Sequence, residues 1–227
     1  MVATPATRSE SPDGLKGVSA SNGSKTTLAS GAAAQEESAC CHPAASAESG
    51  LDLEGVTIVG DTALHVVATC GDASNFLRSA GIICRKAQHL LLAQNDKGDT
   101  PLHCAVRAGR DQMVSRLIHL AKTEDNSGSS LRLKELLRKE NCRNETALQD
   151  AVRIGNKGII TKLLEFDPEL GSSPIDGTGT SPLYLAVLLD RFDIAKLLHH
   201  MSNGNPSYSG PKGQNALHAA VLRDKEP

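Results

Sequence analysis

One short phrase recurs five times in this chain, and its repetition constrains the fold more than any other feature. Each copy begins with a residue suited to capping a helix, continues with Pro or Ala and then Leu, and ends in a residue that is His in three copies. Self-similarity at a period of a few tens of residues is the signature of repeat architectures. The copies are Thr62-Ala63-Leu64-His65, Thr100-Pro101-Leu102-His103, Thr146-Ala147-Leu148-Gln149, Ser181-Pro182-Leu183-Tyr184 and Asn215-Ala216-Leu217-His218.

Turn residues flank each copy. The position two residues before the capping residue and the position nine residues after it hold Gly, Asn or Asp, which tolerate a positive φ. The interval between them fits about two turns of helix, and Pro101 and Pro182 stand at the first helical position, where a missing N–H costs little. Each repeat is therefore predicted to open with a turn and a short capped helix. The turn residues are Gly60, Gly98, Asn144, Gly179 and Gly213 before the helix, and Gly71, Gly109, Gly155, Asp190 and Asp224 after it.

A second amphipathic helix is predicted after the inner turn of the middle copies, over residues 111–118, 157–164 and 192–198. The first copy has a less regular apolar pattern, which predicts a longer or broken helix. A polar insertion over 122–130 precedes a short amphipathic helix predicted over 131–137. Because long loops are either functional or disordered, the sequence leaves the role of this insertion open.

The segment Thr100-Pro101-Leu102-His103-Cys104-Ala105 matches the T-P-L-H-x-A phrase of ankyrin repeats. The spacings between capping residues are 38, 46, 35 and 34 residues (62 to 100, 100 to 146, 146 to 181 and 181 to 215), against an ankyrin period of about 33. The resemblance covers residues 51–227 and implies an all-α ankyrin-repeat solenoid of paired antiparallel helices with β-turn finger loops. It also implies that His65, His103 and His218 are structural, each hydrogen-bonding its own capping residue and the backbone of the next turn.

Residues 1–50 differ in composition from the rest of the chain. They are rich in Ala and Ser and contain few large apolar residues, so they cannot bury enough surface to offset the entropy lost on ordering. We predict a disordered N-terminal tail over 1–50 and about five ankyrin repeats over 51–227, the last one truncated before its second helix. A cleaved organelle transit peptide is the competing interpretation of the tail, and it is disfavoured because such peptides lack acidic residues. The acidic residues of the tail are Glu10, Asp13, Glu36, Glu37 and Glu48.

The chemistry-bearing residues form no catalytic or metal-binding pattern. Cys40-Cys41-His42 lies in the tail without a second ligand pair at zinc-finger spacing. No phosphate-binding glycine loop, nucleophile elbow, metalloprotease phrase or kinase phrase occurs. We therefore predict a protein that is not an enzyme and has no catalytic, cofactor-binding or metal-binding residues. The remaining cysteines are interpreted as buried thiols of a reducing cytosol; they are Cys70, Cys84, Cys104 and Cys142.

Charge and aromatic content argue against a nucleic-acid partner. The chain has 24 Lys and Arg against 26 Asp and Glu, a net charge of −2, and an aromatic content of 2% with no Trp. A binder of phosphate backbones would show a basic footprint, and a binder of single strands would show stacking platforms. The chain also lacks a run of 18 or more apolar residues, so it contains no predicted membrane span.

The resemblance to ankyrin repeats implies that protein partners bind to the finger loops and the first helices of the repeats. The polar residues of these loops that packing does not dictate are the candidate binding residues, although each one taken alone is also consistent with an ordinary solvated loop. They are Asn95, Asp96, Lys97 and Asp99 in one finger, Asn141, Arg143, Asn144 and Glu145 in the next, and Asp176, Thr178 and Thr180 in a third.

A closer resemblance is to the plant accelerated-cell-death type of ankyrin protein. It is carried by segments 94–105, 136–141 and 145–148, and by 167–170 before the phrase Ser181-Pro182-Leu183-Tyr184-Leu185-Ala186-Val187. In that family a cytosolic ankyrin stack precedes a multi-span membrane domain, which is absent here. The resemblance implies a cytoplasmic protein-interaction scaffold in plant defence or stress signalling. It leaves open that the chain is the cytosolic part of a membrane transport or channel-like protein; a ubiquitin-ligase adaptor would need a further domain that the sequence does not show.

Overall fold

The computed structural model describes residue 53 and residues 55–123, 131–174 and 179–223. Within these ranges the chain forms ten α-helices and two isolated β-bridges, and no strand longer than a bridge. The predicted disordered tail, the Cys40-Cys41-His42 cluster and Asp224 lie outside the described residues. The all-α solenoid predicted from the repeated phrase is confirmed.

Four of the five copies fold as helix pairs, as the periodicity predicts. The first helix of each pair follows the repeated phrase, and the second begins a few residues later. The pairs are α1 (Ala63–Cys70) with α2 (Ser74–Lys86), α3 (Pro101–Arg107) with α4 (Asp111–Thr123), α6 (Ala147–Ile154) with α7 (Lys157–Phe166), and α8 (Pro182–Leu188) with α9 (Phe192–Met201). The insertion contributes α5 (Leu131–Arg138), and the fifth copy contributes α10 (Ala216–Arg223). Short 3-10 helices span Gln88–Leu91, Pro168–Ser172 and Pro211–Gly213.

The capping prediction holds in each described copy. Thr62, Thr100 and Thr146 have extended backbone and exchange hydrogen bonds with the residue three positions on, which makes a capping box. The Ser181 side chain accepts from the backbone N–H of Tyr184. Because these bonds satisfy donors that a helix start leaves unpaired, each repeat fixes where its first helix begins.

The outer-turn residues adopt the left-handed conformation that the sequence predicts, with φ between 55° at Asn144 and 98° at Gly179. At the inner turns Gly109, Gly155 and Asp190 also have positive φ, from 61° to 79°. The prediction is wrong for Gly71, whose φ of 166° is ordinary extended backbone. The first repeat therefore turns between its helices without a left-handed residue.

The core is continuous along the stack. First helices pack on first helices, from α1 through α3, α6 and α8 to α10, and second helices α2, α4, α7 and α9 pack in the same order. The repeated Leu is buried in four copies, with Leu64, Leu102 and Leu148 at 0% and Leu183 at 6% exposure. Each repeat therefore buries its apolar face against the next one.

The insertion between the second and third repeats is partly helical. Helix α4 continues through Lys122 and Thr123, which the sequence assigned to the loop, and residues 124–130 lie outside the described part of the chain. Leu133, Leu136 and Leu137 of α5 are buried, so the predicted amphipathic helix is confirmed and its apolar face packs on α4. In the first repeat α2 is continuous over 13 residues and is followed by a separate 3-10 helix, which matches the longer-helix alternative.

Candidate functional site

Three outer turns share one hydrogen-bonding pattern, and we call them finger 1 (57–61), finger 2 (95–99) and finger 3 (141–145). In each finger the first residue donates its N–H to the carbonyl oxygen of the last residue, at 2.9 to 3.0 Å. The fourth residue donates its N–H back to the carbonyl of the first, at 2.8 to 2.9 Å. The second and third residues of each finger stand at its tip. They are Ile58-Val59, Asp96-Lys97 and Cys142-Arg143.

Backbone hydrogen bonds join the fingers to one another. The Asp96 N–H donates to the Val59 carbonyl at 3.2 Å, and the Cys142 N–H donates to the Lys97 carbonyl at 3.0 Å. Glycine permits this approach, since a Cβ on Gly98 would lie 2.7 Å from the Cys142 nitrogen. The three tips are thus held side by side, and we call this surface the finger row.

Two asparagine side chains fix the shape of the row. The Asn95 Oδ1 accepts from the N–H groups of Lys97 and Asp99, each at 3.0 Å, and its Nδ2 donates to Asp61 at 2.7 Å. Asn141 repeats this arrangement, accepting from Arg143 and Glu145 and donating to Asp99 at 3.0 Å. These two predicted binding residues therefore brace their own finger and tie it to the preceding one.

Beneath the fingers, the fourth residue of the repeated phrase links each repeat to the next. His65 Nε2 contacts the Asp99 carbonyl oxygen at 2.8 Å, and His103 Nε2 contacts the Glu145 carbonyl at 3.1 Å. In the third and fourth copies Gln149 donates to the Thr180 carbonyl and the Tyr184 hydroxyl donates to Gln214. The structural role that the resemblance implied for His65 and His103 is thus observed. His218 hydrogen-bonds its own capping residue, Asn215, and is exposed.

Burial sets the protonation state of the two inner histidines. Loss of water around the ring lowers the pKa of His65 and His103 below the ordinary value of 6.5, although a backbone contact and nearby carboxylates act in the opposite direction. Both rings are therefore neutral at pH 7, with one nitrogen accepting from the capping backbone N–H and the other donating to the next repeat. Each neutral imidazole therefore connects two neighbouring repeats through one fixed pair of hydrogen bonds.

A charged network lies between the finger row and the first helices. Arg107 binds both oxygens of Asp99 at 2.9 Å and one oxygen of Asp150 at 2.8 Å. Burial alone would raise the pKa of Asp99, but hydrogen bonds from Arg107 and Asn141 outweigh it and hold the pKa below its ordinary value. Arg143 pairs with Glu145 at 3.0 Å and Asp150 at 3.3 Å, and Arg153 also binds Glu145.

The structure divides the predicted finger residues into two groups. Asp99, Asn141 and Glu145 are buried within the stack, with whole-residue exposures of 2%, 6% and 4%. Asp96, Lys97, Arg143 and Asn144 are exposed, while Asn95 and Thr180 are intermediate. Asp176 and Thr178 lie outside the described residues. Fewer of the predicted finger residues are therefore exposed than the sequence indicated.

Sequence reasoning missed several residues of this surface. Ile58 is 102% exposed at the tip of finger 1, and Arg107 reaches the row from the end of α3. Cys142 is exposed, so its interpretation as a buried thiol is wrong. Cys84 is buried as predicted, Cys70 and Cys104 are half-buried, and burial raises the pKa of Cys104 to about 12. Aligning the copies by the Gly or Asn of their outer turn would have placed Ile58 at a tip position. It would then have stood out, because the tip positions of fingers 2 and 3 are mostly polar.

Two kinds of feature are not found in the described ranges. No group of three or more His, Cys, Asp or Glu side chains there is placed to hold a metal ion. None of the helices described is long and apolar enough to cross a membrane.

Comparisons with known proteins identify the repeat. A family model described as "Ankyrin repeats (3 copies)" matches residues 30–127. The chain resembles the crystal structure of the ankyrin repeat domain of Bcl-3, described as a unique member of the IkappaB protein family, with a TM-score of 0.58 and 22% identity over 76% of this chain and 69% of that one. No curated protein sequence matches the chain. Residues 30–127 therefore match the ankyrin-repeat family model, and the described part of the chain has the ankyrin-repeat fold.

Proposed function

We propose that this protein is a non-enzymatic scaffold that binds protein partners through the finger row. The observation that carries the proposal is that fingers 1 to 3 are braced by backbone bonds and buried polar groups, while their tips present exposed side chains. A surface that is already ordered loses little entropy on binding, so modest contacts can give useful affinity. Ankyrin repeats in general mediate protein–protein interactions, which supports the same conclusion.

Site-specific photocrosslinking tests this proposal. A photoreactive amino acid placed at Lys97, at the tip of finger 2, is expected to capture a partner in cells. The same group at Lys134, an exposed residue of α5, serves as the matched control. Capture from α5 but not from finger 2 would contradict the proposal.

The finer function rests on the sequence phrases that resemble the plant accelerated-cell-death type of ankyrin protein. We propose on that basis a cytoplasmic role in plant defence or stress signalling, at the cytosolic face of the plasma membrane where a membrane domain follows the repeats. The partner captured by the crosslinker tests the role, since a partner without a function in defence or stress would contradict it.

The alternative is the cytosolic part of a multi-span membrane transport or channel-like protein. The same sequence phrases support it, because in that family an ankyrin stack precedes such a domain. A transcript that continues past Pro227 into several apolar segments of about 20 residues would favour this alternative, and a stop codon there would favour the scaffold alone.

A further inference from the structure

A cavity of about 490 Å³ opens between fingers 2 and 3. It has the size of a pocket for one or two side chains, and most of its polar groups are hydrogen-bond donors. The lining residues are Asp96, Lys97, Asp99, Arg107, Asn141, Cys142 and Arg143.

Three carboxylates around the cavity are buried and already paired, whereas the arginines that bind them remain partly exposed. Asp99, Asp150 and Glu145 have side-chain exposures of 2%, 3% and 5%, and each accepts from an arginine. The guanidinium groups of Arg107 and Arg143 are 40% and 55% exposed. Since a guanidinium has five N–H donors, both arginines keep N–H groups that the described contacts with the buried carboxylates do not use. Of the charged lining side chains that reach solvent, three are therefore cationic (Lys97, Arg107 and Arg143) and one is a carboxylate (Asp96), although the chain as a whole is slightly acidic.

Two tip residues adjust this charge. Lys97 is exposed, and the described contacts include no ion pair for its ammonium group. Asp96 is the exposed carboxylate of the lining, so it lowers the attraction of the cavity for a second carboxylate. Substitution of Lys97 should weaken the attraction of the cavity for a carboxylate, and substitution of Asp96 should strengthen it. Neither side chain belongs to the buried charged network.

An apolar tip adjoins the cavity. Val56, Ile58 and Val59 are 62%, 102% and 49% exposed, within a turn that its own hydrogen bonds hold closed. The Val59 carbonyl accepts from Asp96, so the apolar tip and the cavity are neighbours on one ordered surface. An Ile that is fully exposed at a fixed position offers an anchor for an apolar side chain.

We propose that the finger row binds an acidic peptide segment of a partner protein. A carboxylate side chain of the segment enters the cavity against Lys97, Arg107 and Arg143, and an apolar side chain of the same segment packs on Ile58. Charge-assisted hydrogen bonds to arginine supply specificity, and burial of the Ile58 side chain supplies affinity. A nucleic acid fits less well, because its phosphates are evenly spaced and the cationic groups are confined to one cavity. The inference rests on the proposed function, since it names the partner class of the same surface.

Peptide selection on the intact chain tests the inference. A random peptide library displayed on phage is selected against the purified protein, and a selected peptide is then titrated by fluorescence anisotropy. We expect the enriched peptides to combine acidic and large apolar residues. Lys97→Glu should weaken binding about tenfold, or about 1.4 kcal/mol, and Asp96→Asn should tighten it about threefold. Ile58→Ser should weaken it about fivefold. Lys134→Glu on α5 is the matched control and should leave affinity unchanged.

The outcomes separate this inference from the proposed function. Enriched peptides that lack acidic residues yet respond to Ile58→Ser would overturn the inference and leave the finger row as the binding surface. Peptides that respond only to Lys134→Glu would contradict both. A failure to enrich any peptide, or tighter Lys97-dependent binding of a single-stranded DNA oligonucleotide, would overturn the inference while the crosslinking experiment still decides the proposed function.

Discussion

The second and fifth copies of the repeated phrase are closely similar in sequence but differ in their surroundings. Leu102 is fully buried and His103 bonds the carbonyl of Glu145 in the next repeat. At the same positions of the fifth copy, Leu217 is 76% exposed, and the described hydrogen bonds of His218 lie within its own repeat. Both copies form a capped helix, because the phrase encodes that locally. The contacts that add most to stability come from the following repeat, as expected for a stack with nearest-neighbour interactions.

The largest expected effect comes from the repeated leucine. Leu102→Ala should lower the free energy of unfolding by about 3 kcal/mol, because it removes buried methyl groups and leaves a cavity. Leu217→Ala should change it by less than about 0.5 kcal/mol, since the side chain is mostly in water. Urea unfolding monitored by circular dichroism measures both values. Equal losses in the free energy of unfolding would contradict the conclusion that the following repeat supplies the contacts that add most to stability.

The fourth residue of the phrase gives the next effect. His103→Ala should cost about 2 kcal/mol, because it leaves the buried Thr100 N–H without a partner and removes one of the two hydrogen bonds that the Glu145 carbonyl accepts. His218→Ala should cost less than about 1 kcal/mol, since exposed groups recover hydrogen bonds to water. Gln occupies this position in the third copy, so His103→Gln should recover much of the loss. A His103→Gln variant as unstable as His103→Ala would show that the bonds do not explain the effect.

The outer glycines sharpen the comparison at the level of the backbone. Gly98 and Gly213 have φ values of 72° and 73°, so an alanine at either position carries the same cost of about 1 kcal/mol for a left-handed residue. A Cβ on Gly98 would also collide with the Cys142 nitrogen, whereas one on Gly213 would meet nothing within 4 Å. Gly98→Ala should therefore be the more destabilising by about 1 kcal/mol in the same urea experiment. Equal costs would mean that finger 3 moves freely away from finger 2.

The smallest expected effect is a dependence on pH. The folded-state pKa of His103 lies below 6.5, so the unfolded chain takes up the proton first as the pH falls. The contribution of the buried neutral ring is complete above pH 6.5 and decreases as the pH falls from there towards the folded-state pKa. The folded-state pKa of Asp99 is also depressed, so this carboxylate affects stability at lower pH. Its contribution is complete above its ordinary pKa of 3.8 and is lost as the pH falls from there towards the folded-state pKa.

His103→Gln isolates this pH effect from the hydrogen bonds. The variant keeps the donor and acceptor but cannot be protonated, so its free energy of unfolding should vary less between pH 7 and pH 5 than that of the parent. An unchanged profile in His103→Gln would contradict the link between burial of this ring and stability.

The repeated phrase allowed much of the fold to be predicted. Thr62, Thr100, Thr146 and Ser181 cap their helices, and Gly98 and Asn144 take positive φ, because these preferences depend on a few neighbouring residues. The failure at Gly71 shows the limit of this reasoning. The same residue type permits a left-handed turn without requiring one, and the packing of the first repeat selects an extended backbone instead.

The candidate site was less predictable, because its members come from different repeats. Asp99 and Glu145 look like ordinary loop carboxylates in the sequence. Arginines on the neighbouring helices bury both of them, and Arg107 brings together Asp99 of finger 2 and Asp150 of α6. Such pairings depend on how the fingers and helices stack, so local sequence patterns do not reveal them.

The sequence by itself determined the repeat, the helix starts and the outer turns, because each depends on short-range sterics and hydrogen bonding. Tertiary structure alone decided which polar residues are buried in contacts between repeats and which face solvent. The reason is that similar local phrases have different surroundings once the next repeat covers one of them. The exposed tip of finger 1, the cationic cavity beside it and the contrast between Leu102 and Leu217 all follow from that stacking.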